Sequence, residues 1–295
     1  MRITVIGFGE AGGIFAADLQ QQPSLQLTVW DVKNTRPASS AAMQLKSSAC
    51  GVQLAASLAE ALQDAEIIFS TVTAAEALNV ARHTAPFLRP GQTFLDFNSV
   101  APETKRAAAR LIGAQGAAYI DVAVMAPVPP KRLATPLLLG GSQGATVNDL
   151  LQSLGLNSRL YSLQVGEASA IKMCRSVMIK GLEALTTECL SAARRYGVEQ
   201  AVVDSLHASF PSLGWDDQLP HYLISRVAEH GQRRAEEMQE VVKTLHDVNV
   251  APAMSAATAA TQQGLVDALK AHDVTYAQLT PFTWQAAVDK IHHDQ

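Results

Sequence analysis

Short apolar runs alternate with amphipathic segments along the first half of the chain, and that alternation predicts its architecture. Arg2–Ile6, Leu25–Trp30, Glu66–Thr71, Thr93–Asp96 and Ala117–Val124 are rich in β-branched and aromatic residues, with shorter runs at Val52–Leu54, Leu137–Leu139 and Arg159–Leu163. Near-continuous apolar runs of this length read as strands buried in a parallel sheet. Between them lie helical patterns: an Ala-rich segment ending at Leu19, then Pro37–Lys46, Leu58–Gln63, Ala74–His83, Glu103–Ile112 and Val147–Leu154. Ser57 is placed to cap one of these and Pro102 to open another. Pro127, Pro129 and Pro130 predict a stiff, irregular loop. Strand–helix alternation of this kind means a doubly wound α/β sheet.

The pattern changes at Gly166. Glu167 to Tyr196 contains no proline, and Gly181 is its only glycine. One long helix is expected, ended by Gly197. Helical patterns continue through Val202–Ala208, His221–Leu245, Ala253–His272 and Trp284–His293. The expected organisation is a sheet domain, residues 1–165, followed by an all-helical domain, residues 166–295. The long helix carries an apolar stripe of Ile171, Cys174, Met178, Leu182, Leu185 and Cys189. Such a stripe must pack on the sheet domain, on other helices or on a second subunit.

Composition narrows the function classes. The chain has 295 residues, 48% of them hydrophobic, enough for a sizeable core. A net charge of -4 gives no support to a nucleic-acid or membrane-surface role. No apolar run reaches the length of a membrane span, and the N-terminus enters a strand directly, so no signal peptide is expected. Cys50, Cys174 and Cys189 are isolated thiols without CxxC spacing. They fit a reducing cytoplasm and argue against a disulfide framework or a cysteine zinc site. His292 and His293 lie at the tail, where solvated residues are expected rather than metal ligands.

The chemistry begins at Gly7-Phe8-Gly9-Glu10-Ala11-Gly12, between the first strand and the first helix. This is the strand–turn–helix arrangement that holds a dinucleotide pyrophosphate in Rossmann-type domains. Gly7 allows the tight turn, Gly9 the close approach of phosphate, and Gly12 close helix–strand packing. Asp31 follows the second strand, where an acid binds both ribose hydroxyls and repels a 2′-phosphate, which favours NAD. It also suits a turn after a strand. Lys33 and Arg36 lie just beyond and keep NADP open. Thr71-Val72-Thr73 and Asn98-Ser99 fall at carboxyl ends of strands, where ligands of open α/β sheets bind. Asn98 and Ser99 also suit an N-cap for the helix after Pro102.

Lys172 stands one turn inside the long helix, with Arg175 and Ser176 near the same face. A lysine partly desolvated beside a like charge has its pKa lowered and can exchange a proton with a hydroxyl. A solvated surface lysine fits the periodicity as well. His230, Arg233, Arg234, Glu236 and Glu237 read as a solvated, charged helix face.

Four segments give the chain a wider resemblance, at matching order and spacing over essentially its whole length. They are Gly7–Gly12; Asp96-Phe97-Asn98-Ser99; Asp121-Val122-Ala123-Val124-Met125-Ala126-Pro127; and Gly166-Glu167-Ala168-Ser169-Ala170-Ile171-Lys172. The chain resembles the β-hydroxyacid dehydrogenase superfamily, which includes 6-phosphogluconate and 3-hydroxyisobutyrate dehydrogenases, and looks like a phosphogluconate dehydrogenase-like branch of it. The resemblance implies that Lys172 is the catalytic general base and acid. It implies cofactor contacts at Gly7, Phe8, Gly9, Glu10, Ala11, Gly12, Asp31, Thr71, Val72, Thr73 and Asn98. A small substrate, expected to be a carboxylate, would meet Asn98, Ser99, Met125, Ala126, Pro127, Arg175 and Ser176. The resemblance also implies a homodimer through the helical half, which closes the site, and a cationic residue near the cofactor at Arg233 or Arg234.

Two departures bear on the substrate. Met125-Ala126-Pro127 stands where the family has Ser-Gly-Gly, making the expected pocket more apolar. Arg175-Ser176 replaces His-Asn or Asn-Asn, and Arg175 can pair bidentately with a carboxylate. The expected activity is hydride transfer between NAD(P) and a small hydroxy acid or its oxo partner. The alternatives are an imine reductase of the same two-domain design and a nucleotide-binding regulatory protein without turnover.

Overall fold

The computed structural model describes residues 1–291. Contacts divide the chain into two compact units, Met1–Met173 and Cys174 onward.

The first unit is an eight-stranded sheet: β1 Arg2–Ile6, β2 Gln26–Trp30, β3 Gln53–Leu54, β4 Ile67–Ser70, β5 Thr93–Asp96, β6 Ala118–Val124, β7 Leu137–Gly140 and β8 Ser158–Ser162. Their order across the sheet is β3-β2-β1-β4-β5-β6-β7-β8. All pairings are parallel except β6 with β7. The helices are α1 Glu10–Leu19, α2 Pro37–Cys50, α3 Leu58–Gln63, α4 Ala77–Thr84, α5 Pro102–Gly113, the single turn α6 Val128–Lys131, and α7 Gly144–Ser153. The proline-rich stretch expected to be irregular therefore starts as a helical turn, because Pro129 and Pro130 occupy first-turn positions that need no N–H.

The period-two alternation of the strands builds two cores. Ile3, Val5, Val29, Ile67, Phe69, Leu95 and Val122 face one side with Phe15 and Leu19 of α1. Ile6, Ile68, Phe94 and Tyr119 face the other, with Leu62, Ala81 and Ile112 of α3, α4 and α5. Burying one such large apolar side chain contributes about 1.5–3 kcal/mol. Reversal of strand order on either side of β1 and β4 leaves a crevice at their carboxyl ends, where β1 turns into α1.

The long helix α8 spans Glu167–Tyr196, and the division between units falls inside it rather than at Gly166. Its first turns belong with the sheet because Ala168 packs against Ala123 and Leu138, with Ile171 and Met125 alongside.

The second unit continues with α9 Glu199–Ser209, α10 Leu219–Asp247, α11 Ala253–Ala271 and α12 Trp284–Lys290. Its core comprises Leu190, Ile224, Val227, Leu265, Leu269, Trp284 and Val288 among others. The expected final residues of the last helix, His292 and His293, lie outside the described residues. The expected stripe on α8 is not a core stripe of this chain. Cys174, Met178, Leu185 and Cys189 are exposed, and the buried positions after Met173 include Ser176, Lys180, Glu183, Thr187 and Leu190. Polar groups can occupy these buried positions because they pair: Lys180 Nζ lies 2.8 Å from Glu237 Oε2, and Arg234 Nη1 donates to Glu183 Oε2 at 2.7 Å. The face of α10 expected to be solvated is thus partly internal, since Arg234 and Glu237 are buried while Arg233 is exposed and paired to Glu237.

Candidate functional site

At the end of β1, Gly7 takes φ +92°, which L side chains rarely adopt. Its N–H donates to Trp30 O at 2.9 Å and ties the turn to β2. A Cβ on Gly7 would lie 2.7 Å from the Thr71 carbonyl oxygen, and one on Gly12 would overlap the Gly7 carbonyl and the Thr71 hydroxyl. Gly9 is different. Nothing lies within 4 Å of where its Cβ would be, so this side of the turn is open. Gly9 is also the N-cap of α1 and provides no side-chain cap. An open backbone face at a helix start, with unsatisfied N–H groups and the positive end of the dipole, fits a pyrophosphate. Phe8 is buried beside the turn, whereas Glu10 is exposed and Ala11 half-buried at the start of α1.

Asp31 follows β2 and is committed on both oxygens. Oδ2 accepts the Phe8 N–H at 2.8 Å and Oδ1 accepts the Lys33 N–H at 2.9 Å. It fills the turn role expected for it, capping a 3₁₀ turn, Val32–Thr35, and it also holds the glycine turn in place through the Phe8 N–H. Lys33 and Arg36 are exposed nearby in sequence.

The carboxyl ends of β4 and β5 are laced together. The Thr71 hydroxyl donates to Gly7 O at 2.7 Å. Asn98 Oδ1 accepts the Val72 N–H at 2.7 Å, and its Nδ2 donates to Ser70 Oγ at 2.9 Å. Asn98 does not cap α5; that N-cap is Ala101, without a side-chain bond. Asn98 is instead buried as a strut between two strand ends. Thr73 is exposed and leads into the next 3₁₀ turn.

Lys172 lies within reach of this edge: its Nζ donates to Ser99 Oγ at 2.5 Å. The start of α8 that carries it is pinned by Asp121. Oδ2 accepts the N–H groups of Gly166 and Ser169 at 3.1 and 3.0 Å, and Oδ1 accepts the Ser169 hydroxyl at 2.6 Å. Behind it lies a buried ionic cluster absent from the expected site residues. Lys105 Nζ, fully buried, sits 3.0 Å from Asp96 Oδ1 and 3.4 Å from Asp121 Oδ1, and donates to Asp96 O at 2.6 Å. Asp96 Oδ2 accepts the Tyr119 hydroxyl at 2.6 Å. Burial, then the charges of Asp96 and Asp121, push the Tyr119 hydroxyl well above its ordinary pKa, so it remains a donor. A signal was present in the sequence: Asp96 at the end of β5 and Asp121 in the middle of the apolar run of β6, paired across the two strands, need a cation, and Lys105 shares a helix face with Ala108 and Ile112.

Of the remaining expected substrate residues, Met125 and Ala126 are half-buried and Pro127 exposed after β6. Arg175 is exposed. Ser176 is buried, and its hydroxyl accepts from Lys180 Nζ at 3.2 Å. Arg234 is engaged by Glu183 within the second unit.

Residues 2–162 match the family described as the NAD binding domain of 6-phosphogluconate dehydrogenase. The chain belongs to that family. Residues 193–265 match a domain of unknown function (DUF1932). A conserved hypothetical protein of Sinorhizobium meliloti 1021 is 34% identical, with a TM-score of 0.76 covering 99% of this chain and 96% of that one. A conserved protein whose structure is described as similar to 3-hydroxyacid dehydrogenases is 28% identical, with a TM-score of 0.69 covering 90% and 97%. The 3-hydroxyisobutyrate dehydrogenase of Pseudomonas aeruginosa is 26% identical over 72% of this chain and 71% of its own length. The protein is a member of the β-hydroxyacid dehydrogenase superfamily, and its N-terminal domain is the NAD(P)-binding one. No described helix is long and apolar enough to cross a membrane.

Proposed function

We propose that this superfamily member is an NAD(P)-dependent oxidoreductase that interconverts a small hydroxy acid and its oxo partner, with Lys172 as general acid and base. The observation that carries this reading is the 2.5 Å bond from Lys172 Nζ to Ser99 Oγ, just beyond the carboxyl end of β5. When bound, the nicotinamide supplies the hydride chemistry. Gly7–Gly12 take the pyrophosphate, Asp31 the adenosine ribose, and Thr71, Val72, Thr73 and Asn98 line the same strand ends. In oxidation Lys172 takes the proton of the substrate hydroxyl; in reduction it returns one. Ser99 orients the lysine, and Asp121 and Lys105 hold its helix in register. Met125, Ala126 and Pro127 form the apolar side of the substrate site, and Arg175 is the partner for a substrate carboxylate.

Asp31 favours NAD, because a 2′-phosphate would approach a carboxylate. A second copy of the chain covers the exposed side chains of Met178 and Leu185, making the working unit a homodimer. The free thiols suit a cytoplasmic enzyme.

The test is Lys172→Ala against a panel of short 2- and 3-hydroxy acids and aldonates, with NAD and NADP in parallel. Loss of general acid–base catalysis lowers kcat about 10²–10⁴-fold, with dinucleotide affinity by titration unchanged. Near-wild-type turnover of the same substrate would remove Lys172 from the mechanism. Turnover of cyclic imines with hydroxy acids inert would replace this activity with imine reduction. Tight cofactor binding without turnover of either class would leave a binding protein.

A further inference from the structure

The glycine fingerprint accounts for Gly7, Gly9 and Gly12 but not for Gly13, a second glycine in a ten-residue helix that pays for it in helix stability. The space its side chain would fill is taken. A Cβ on Gly13 would lie 2.8 Å from Nζ of Lys46, which reaches over from α2. That ammonium donates to the carbonyl oxygens of Phe8 and Gly9, both at 2.7 Å, and sits 4.5 Å from the centre of the Phe8 ring. Two of its three N–H groups are thereby used on the phosphate turn itself.

The placement is electrostatically odd. A cation is disfavoured at the positive end of a helix, where α1 begins. Among the described residues no carboxylate pairs with Lys46. Two neutral carbonyls and an aromatic face are its partners, and it is only half-buried. An ammonium held this way, on a turn whose Gly9 face is open, is positioned for an anion that arrives from outside the chain.

We infer that Lys46 is a phosphate-binding residue of the cofactor site, one that clamps the glycine turn through Phe8 and Gly9 and lends its charge to a dinucleotide phosphate. Gly13 is the residue that admits it. The inference rests on the NAD(P) reading of the turn and adds to it a residue from a different helix, 33 positions beyond Gly13 in the sequence. The phosphate is either the pyrophosphate common to both dinucleotides or the 2′-phosphate of NADP, and the two differ in what they predict.

The experiment is a binding titration of NADH and NADPH, by cofactor fluorescence and by calorimetry, at low and high salt. It uses the full-length wild type, Lys46→Met, Lys46→Arg and Gly13→Ala. A charged hydrogen bond lost at the phosphate weakens binding about tenfold or more. With the pyrophosphate as partner, Lys46→Met weakens both dinucleotides to that extent at low salt, and the deficit shrinks at high salt as the charge is screened. Loss confined to NADPH assigns the charge to the 2′-phosphate. Lys46→Arg retains most of the affinity. Gly13→Ala, which keeps the lysine but displaces its ammonium, moves affinity in the same direction as Lys46→Met and serves if that variant does not fold. Wild-type affinity in both Lys46→Met and Gly13→Ala, or a deficit equal at low and high salt, would overturn the inference and leave Lys46 a strut of the turn. Absence of binding by the wild type would instead overturn the cofactor reading on which it rests.

Discussion

Asp121 accepts from Ser169 twice, from its backbone N–H at 3.0 Å and its hydroxyl at 2.6 Å, and so ties the last strand of the parallel array to the start of the helix that bears Lys172. The same carboxylate faces the buried ammonium of Lys105 at 3.4 Å. Asp121→Asn removes the charge and, whichever way the amide turns, places an N–H against other donors. Breaking one partner of a buried pair costs about 3–5 kcal/mol. The expected outcome is a lower urea midpoint with an unchanged slope. An equal midpoint would mean that the cap and ion pair contribute nothing net.

Asp31 carries a double load, since its carboxylate serves both the Phe8 and the Lys33 N–H groups. In Asp31→Ser the shorter hydroxyl cannot serve both, and the repulsion of a 2′-phosphate disappears. NADH affinity is expected to fall about tenfold, as for one lost charged hydrogen bond. NADPH affinity falls less, so the ratio of the two dissociation constants shifts toward NADP. Parallel fluorescence titrations read this ratio, and an unchanged ratio would separate Asp31 from cofactor choice.

His230, on α10, has its pKa lowered to about 4 by burial and then by the guanidinium groups of Arg226, Arg233 and Arg234. Glu229 Oε2 lies 3.2 Å from its Nε2, which favours the charged ring, but burial and three cations prevail. The unfolded ring protonates near pH 6.5 while the folded one stays neutral down to about 4. The unfolded chain therefore binds more protons in this window. The stability contributed by His230 is full above about pH 6.5, falls as pH drops to about 4, and levels off below that. The stability difference between wild type and His230→Gln, from denaturant titrations at a series of pH values, should shrink across that window. A constant difference would show that the ring titrates normally.

Met178 is 74% exposed and Leu185 54% exposed on α8, an apolar pair left to water within one chain. In the proposed homodimer these side chains meet the second copy. Sedimentation equilibrium is expected to give a dimer for the wild type and a monomer for Met178→Glu or Leu185→Glu, without change in helix content. A dimer surviving both substitutions would move the interface elsewhere.

Local chemistry alone was enough for the sheet, the glycine turn and the extent of α8. Buried strands need near-continuous apolar runs, φ +92° at residue 7 needs glycine, and thirty residues without proline need not break a helix. These signals lie within a few residues of one another, so the chain states them directly. Family membership was legible in the same way, in four short segments at fixed spacing.

Partnerships between distant residues depended on the fold. Lys172 to Ser99 spans 73 positions and Asp121 to Ser169 spans 48. No periodicity relates such residues, and only the packing of β5, β6 and the head of α8 brings them together. The same reason leaves the cover of the α8 stripe open in the sequence. A stripe of apolar residues marks a face that prefers to leave water, but not which surface will cover it. Buried Lys180, Glu183 and Arg234 became tolerable only because each found an opposite charge on a neighbouring helix. Covalent sequence determined where the backbone could turn and which segments would seek burial. Tertiary structure decided which charges would be neutralised by which, because the cost of burying a charge depends on the partner that arrives from elsewhere in the chain.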